Sequence, residues 1–164
     1  MTPGADVDDH DVPAVVAGER DSLLAFLGYL RAAVDRKLDG LSEDDARRRL
    51  VPSRTTLLGL VKHLTVVEAY WSERRLAGSD VRAEGDGFDL ADDDTVASVR
   101  AAYAAACRRT DELVAACGDL DQPLARGRHG RTARWMLTHL VEETARHAGH
   151  ADVLRELLDG RVGR

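Results

Sequence analysis

Cysteine occurs only twice in this 164-residue sequence, as Cys107 and Cys117. Ten positions apart within one apparent helix, they lie ~15 Å from each other along its axis, well beyond disulfide reach. A disulfide scaffold is excluded, and both read as core or boundary residues. No apolar run approaches the ~18–20 residues of a membrane span. The first ten residues carry Asp6, Asp8 and Asp9 where a secretion signal would be basic and then apolar, so a cytoplasmic location is expected. The basic excess that nucleic-acid binding requires is missing: 23 basic residues face 29 acidic ones, a formal charge of −6. The cluster Arg47, Arg48, Arg49 follows Glu43, Asp44 and Asp45 and reads as a solvated helix face. Aromatic residues make up 4% of the chain, and no segment alternates with period two for long enough to be a strand. No internal repeat is evident.

What remains is helix. Residues 1–15 contain Pro3, Gly4, Pro13 and a run of acids, and are expected to form a loose N-terminal arm; residues 16–164 are expected to form a single domain. A first helix is predicted over 17–38, with Leu23, Leu24, Leu27, Leu30, Val34 and Leu38 on one stripe. A short turn follows from Ser42, with Asp45 three residues on, to Leu50. A second long helix opens at 53–56, carries Leu57, Leu60, His63, Leu64, Val67, Tyr70, Trp71 and Arg74, and stops at Gly78. Residues 78–94, rich in glycine and acids, are predicted to be a solvated loop. A third helix, capped by Asp94 or Thr95, runs to Gly118, its many alanines suited to close helix approach. After a loop over 119–130, a fourth runs from about 131 to 159, with Gly160 as its stop. Four amphipathic helices without strands predict an all-α four-helix bundle, a fold that builds its sites from side chains on facing helices.

Four of the six histidines fall on the second and fourth helices. On the fourth, His139, Glu143, His147 and His150 follow one another at intervals of four, four and three, all on one face. Glu143 and His147 are one turn apart and can reach a common ion. A polar stripe on a buried face costs desolvation free energy unless something satisfies it, and a metal ion would. His63, among Leu60, Leu64 and Val67, is the natural third ligand from across the bundle. Two histidines and a carboxylate leave a coordination position open, as catalytic zinc sites do; nickel, cobalt, manganese and iron suit the same donors. His139 lies two turns, ~12 Å, from His147 and is too far to share the ion comfortably, which makes it a hydrogen-bonding neighbour. His150, three residues from His147, competes as a ligand. His10 and His129 are expected to be exposed.

Two stretches resemble a known family. Residues 59–71 (GLVKHLTVVEAYW) with 74–78 (RRLAG), and residues 134–152 (RWMLTHLVEETARHAGHAD), resemble the second- and fourth-helix signatures of DinB-like metal-binding four-helix bundles; residues 18–27 (GERDSLLAFL) fit the first helix. Many members hold a metal with a helix-two histidine and a late H-x-x-x-H pair. Here Glu143 stands in the first position of that pair, which is similar to the His, Glu, His zinc triad of mycothiol-dependent maleylpyruvate isomerases. The resemblance implies His63, Glu143 and His147 as ligands and places His150 where relatives often carry Gln; Tyr70 or His150 is expected to line the pocket. It implies a divalent metal, zinc first, and a metal-dependent thiol S-transferase or isomerase that acts on an unknown electrophile with a low-molecular-weight thiol such as mycothiol. Two other readings are open: a hydrolase using metal-bound hydroxide, and a non-enzymatic dimeric bundle whose metal is regulatory or vestigial. The alanine-rich third helix and the long fourth helix offer more apolar face than one thin bundle buries, so a homodimer is expected.

Overall fold

The computed structural model describes residues 12–14, 18–81, 85–127 and 129–162. Most of the predicted arm, with His10, lies outside the described residues. The elements are α1 (Glu19–Arg36), the single turn α2 (Glu43–Ala46), α3 (Leu57–Ala69) continuing into a π-helical segment (Tyr70–Leu76), α4 (Val96–Ala115) and α5 (Ala133–Asp159). The architecture is an all-α bundle in which α1 packs on α5, and α3 packs between α4 and α5.

Local chemistry sets most of the boundaries. The side chains of Ser42, Thr56, Thr95 and Thr132 each accept a hydrogen bond from a first-turn backbone N–H, capping α2, α3, α4 and α5. At α4 the cap is reciprocal: Ser98 accepts from the N–H of Thr95 while Thr95 accepts from that of Ser98. The second long helix departs from the sequence expectation by changing from α to π geometry at Tyr70, about two thirds of the way along it. A second departure concerns α4, where Ala101, Ala102, Ala104 and Ala105 face solvent rather than a neighbouring helix.

The apolar core has two lobes. One gathers Val34, Leu38, Leu58, Leu60, Leu64, Val99, Tyr103 and Leu154; the other gathers Leu27, Leu76, Val114, Met136, Leu137 and Leu140. Between them runs a polar belt. Arg31 of α1, only 7% exposed, donates through Nε and an Nη to both carboxylate oxygens of Glu68 on α3, at 2.7 and 2.8 Å. Thr110 of α4 donates to Glu68 at 2.6 Å, and Asp111 accepts from Arg31 at 2.8 Å. This bidentate pair joins three helices in a region where an unpaired charge would be costly.

Candidate metal centre

His63 lies in the apolar middle of α3, and Glu143 and His147 face it from α5. The His63 Nε2 is 3.6 Å from Glu143 Oε1, and His147 Nε2 is 3.1 Å from the same oxygen. One ligand atom from each of the three residues lies within 4.8 Å of the others. Ligands bound at ~2.0–2.1 Å with tetrahedral angles are ~3.3 Å apart, so the cluster already has nearly the spacing that a divalent ion needs. A further observation fits a metal: His63 Nε2, which faces the cluster, is buried without a hydrogen-bond partner among the described residues, whereas buried polar nitrogens are ordinarily paired.

The loop after the π segment orients His63. Its Nδ1–H donates to the backbone carbonyl of Asp86, which leaves Nε2 as the lone-pair nitrogen facing Glu143. Phe88 stacks on the imidazole, with ring centroids 4.3 Å apart and planes 16° from parallel. Between them, Gly87 has φ of +83°, and a β-carbon there would be 2.6 Å from His63 Cα. Only glycine allows this approach. The loop is pinned by Arg54, which pairs with Asp86 and Asp89, and by Lys62, which donates to Asp94 at 2.7 Å and to the carbonyl of Asp89 at 2.9 Å. The expected solvated loop is therefore a strap over the site.

Protonation favours coordination. Burial pushes the His147 imidazole below its ordinary range, and the neighbouring His63 adds to the effect, so His147 is neutral at neutral pH. Burial alone would raise the carboxyl of Glu143, but His147, Arg146 and His63 together hold it below the ordinary carboxylate range. A carboxylate beside a neutral imidazole is the protonation state that binds metal.

The other predicted residues surround this cluster. His139 stacks on Trp135, meets Trp71 edge-on, and has Nδ1 3.5 Å from Glu142. His150 is exposed, its ring 5.4 Å from that of His147, outside the three-residue cluster. It borders an apolar recess of about 350 Å³ formed with Val51, Ser53, Thr55, Val153 and Leu154. Tyr70 is half-buried and edge-on to Trp71. His129 is exposed. Sequence reasoning missed Asp86, Gly87 and Phe88. The available signal was Phe88 itself, a large apolar side chain in a glycine- and acid-rich segment of a chain with two phenylalanines.

An all-α bundle with this cluster between its second and fourth long helices is a DinB-like protein. Over residues 22–160 the sequence matches the mycothiol-S-transferase family, and the chain belongs to that family. A conserved protein from Enterococcus faecalis, known from its crystal structure, shares the fold at 14% identity with a TM-score of 0.58, covering 89% of this chain and 100% of its own. No curated protein matches the sequence. Among the described residues no helix is long and apolar enough to cross a membrane.

Proposed function

We propose that this chain is a metal-dependent thiol S-transferase that uses mycothiol, with His63 Nε2, Glu143 and His147 as the metal ligands and zinc as the metal. The convergence of these three donor groups carries the reading; membership of the mycothiol-S-transferase family supports the thiol. When bound, a divalent ion supplies a Lewis-acid position that lowers the pKa of a thiol from its free value of ~8.5. The chain's own residues prepare that position. The Asp86 carbonyl holds His63 in the tautomer that presents Nε2. One carboxylate and two neutral imidazoles would leave a single positive charge on a bound divalent ion, a site suited to an anionic sulfur. The Phe88 ring covers one face of His63 and excludes water from it. In the transfer the thiol proton passes to solvent, a sulfur–carbon bond forms at the electrophile, and the leaving group departs with its bonding pair. The recess beside His150 offers the electrophile an apolar approach.

The test is elemental analysis of untagged protein, followed by cobalt substitution and titration with mycothiol. One ion per chain and an intense sulfur-to-cobalt charge-transfer band are expected. Ester hydrolysis without a thiol response would replace this reading with the hydroxide mechanism. We also keep the homodimer as part of the proposal, supported by Val153 and Leu157 of α5, which are 55% and 56% exposed; light scattering that gives the 17.9 kDa monomer would reject it.

A further inference from the structure

The α5 face that carries the metal cluster extends in the other direction into an aromatic array. Arg131, just before α5, and Trp135, His139, Glu143 and His147 on it recur every fourth residue, so each neighbours the next on the way from the helix's N-terminal end to the candidate metal. Trp135 and His139 stack with centroids 5.1 Å apart, and Trp71 of the π segment closes on them at 5.2 and 4.9 Å. The Arg131 guanidinium lies 4.1 Å from the centre of the Trp135 ring and 5.6 Å from that of Trp71. Arg75 lies 5.7 Å from Tyr70 and 6.0 Å from Trp71.

Three features set this array apart from ordinary packing. Arg75 and Arg131 both lie over aromatic rings, and among the described residues neither meets a carboxylate. Arg75 Nε is buried with no partner, and a buried donor left unpaired costs ~1–3 kcal/mol. Trp135 remains 38% exposed, although tryptophan gains more than most side chains from burial. Trp71 and Arg75 also stand on π-helical backbone, a geometry that is rare and concentrated at functional sites.

Aromatic surface beside guanidinium N–H groups suits a polyhydroxylated ring. The C–H groups of such a ring pack against the exposed edge of Trp135, whose faces meet His139 and Arg131, and its hydroxyl oxygens accept from arginine. From Glu143 to Trp135 is eight residues, ~12 Å along the helix, so a ligand reaching both must carry its sulfur at one end and its rings at the other. Mycothiol has that form, an N-acetylcysteine joined to a glucosaminyl-inositol pseudo-disaccharide. We propose that Trp71, Trp135, Arg75 and Arg131 form the platform for the pseudo-disaccharide of mycothiol and point its sulfur at His63, Glu143 and His147. This rests on the thiol-transferase reading above.

Trp71 and Trp135 are the only tryptophans in the chain, so intrinsic emission reports on the platform directly. The full chain, stripped of metal with a chelator, is titrated with the glucosaminyl-inositol pseudo-disaccharide, which has no thiol. A saturable emission change is expected, at least tenfold weaker in Arg75→Met and Arg131→Met, which keep both tryptophans, and unaltered in His63→Ala. Circular dichroism establishes that each variant folds. With cobalt-loaded protein, Arg131→Met should raise the mycothiol concentration for half-maximal band intensity about tenfold without lowering the maximum. If the pseudo-disaccharide leaves emission unchanged, or binds both arginine variants like the parent, while mycothiol still produces the band, the platform is refuted and the thiol reading stands. An emission change with no band under any condition refutes the thiol reading and leaves the platform as a carbohydrate site. The same emission change caused by maleate or benzoate at lower concentration overturns the proposal, because the guanidiniums would then serve an anion.

Discussion

Gly85 and Gly87 form a natural pair for testing whether the strap positions His63. Both have left-handed backbone, with φ of +71° and +83°, so alanine at either place costs ~1–2 kcal/mol of local conformational free energy. Only Gly87 touches α3. Its added β-carbon would be 2.6 Å from His63 Cα and 3.0 Å from both His63 N and the Lys62 carbonyl, whereas nothing lies within 4 Å at Gly85. Backbone inside a helix cannot yield, so in Gly87→Ala the strap must retreat by about 0.8 Å to reach ordinary contact. The Asp86 carbonyl then leaves Nδ1 and Phe88 leaves the ring. Loss of such an outer partner lowers metal affinity ~10–100-fold, or ~1.4–2.7 kcal/mol. Competition for zinc against a chromophoric chelator should show that loss in Gly87→Ala, while Gly85→Ala stays within about twofold of the parent. Equal affinities in all three proteins would refute the claim that the strap orients the imidazole.

Three further outcomes are expected. His63→Ala and His147→Ala should each abolish stoichiometric metal binding, while His139→Ala keeps most of it; equal losses in elemental analysis would show that the ligands are misassigned along the stripe. Glu68→Leu strands the Arg31 guanidinium with only the half-exposed Asp111 and should cost ~3–5 kcal/mol in urea unfolding, most of it regained in Arg31→Met/Glu68→Leu; a loss under ~1 kcal/mol for the single variant would contradict the buried-pair account. Burial tends to raise the carboxyl of Asp94, but Lys62, the N–H of Ala91 and the charge of Arg47 outweigh it and lower the value. Stability from a lowered carboxylate is fully present above the unfolded value of ~3.9 and is lost as pH falls through the folded value. The stability gap between the parent and Asp94→Asn should therefore be present at pH 6 and close in acid, and a gap independent of pH would count against it.

What the sequence made legible was local. Threonine or serine caps lie within three residues of the N–H groups they satisfy, and Glu143 and His147 share a turn, so spacing alone placed them. His63 required only that two apolar stripes face each other. The parts that stayed hidden join distant segments. Arg31 and Glu68 are 37 residues apart, and each reads alone as a solvated charge on an amphipathic helix; only the bundle places them at the junction of the two core lobes. Arg47, expected on a solvated face, donates to the carbonyls of Ala91 and Asp94 for the same reason. The strap looked solvated because its acids and glycines dominate its composition, while its structural role is carried by one carbonyl, one φ angle and one phenylalanine. Nothing in YWSERRL marks the π segment, whose residues suit an ordinary α-helix.

The last prediction separates an added thiol from the chain's own sulfur. His63 and Glu68 are five residues apart on α3, about 140° around the helix, so the face that meets α5 and the strap is turned away from the face that meets α1 and α4. Cys107 belongs to the second face, its Sγ–H donating to Glu68 Oε1 at 3.9 Å. Burial, followed by the charge of Glu68, pushes this thiol up to about 12, which keeps it protonated at neutral pH and a poor metal ligand. Cys117 lies ten residues further along the chain, in the lobe with Val114 and Leu120, and burial raises its pKa too. Neither sulfur is placed or ionised to reach His63 Nε2. A Cys107→Ser/Cys117→Ser variant loaded with cobalt should therefore show no sulfur band before mycothiol is added, and the same band as the parent, at the same mycothiol concentration, afterwards. A band present in the parent without any added thiol and lost in the double variant would mean that α4 reaches the metal face, and the arrangement of α3 between its two polar faces would be wrong.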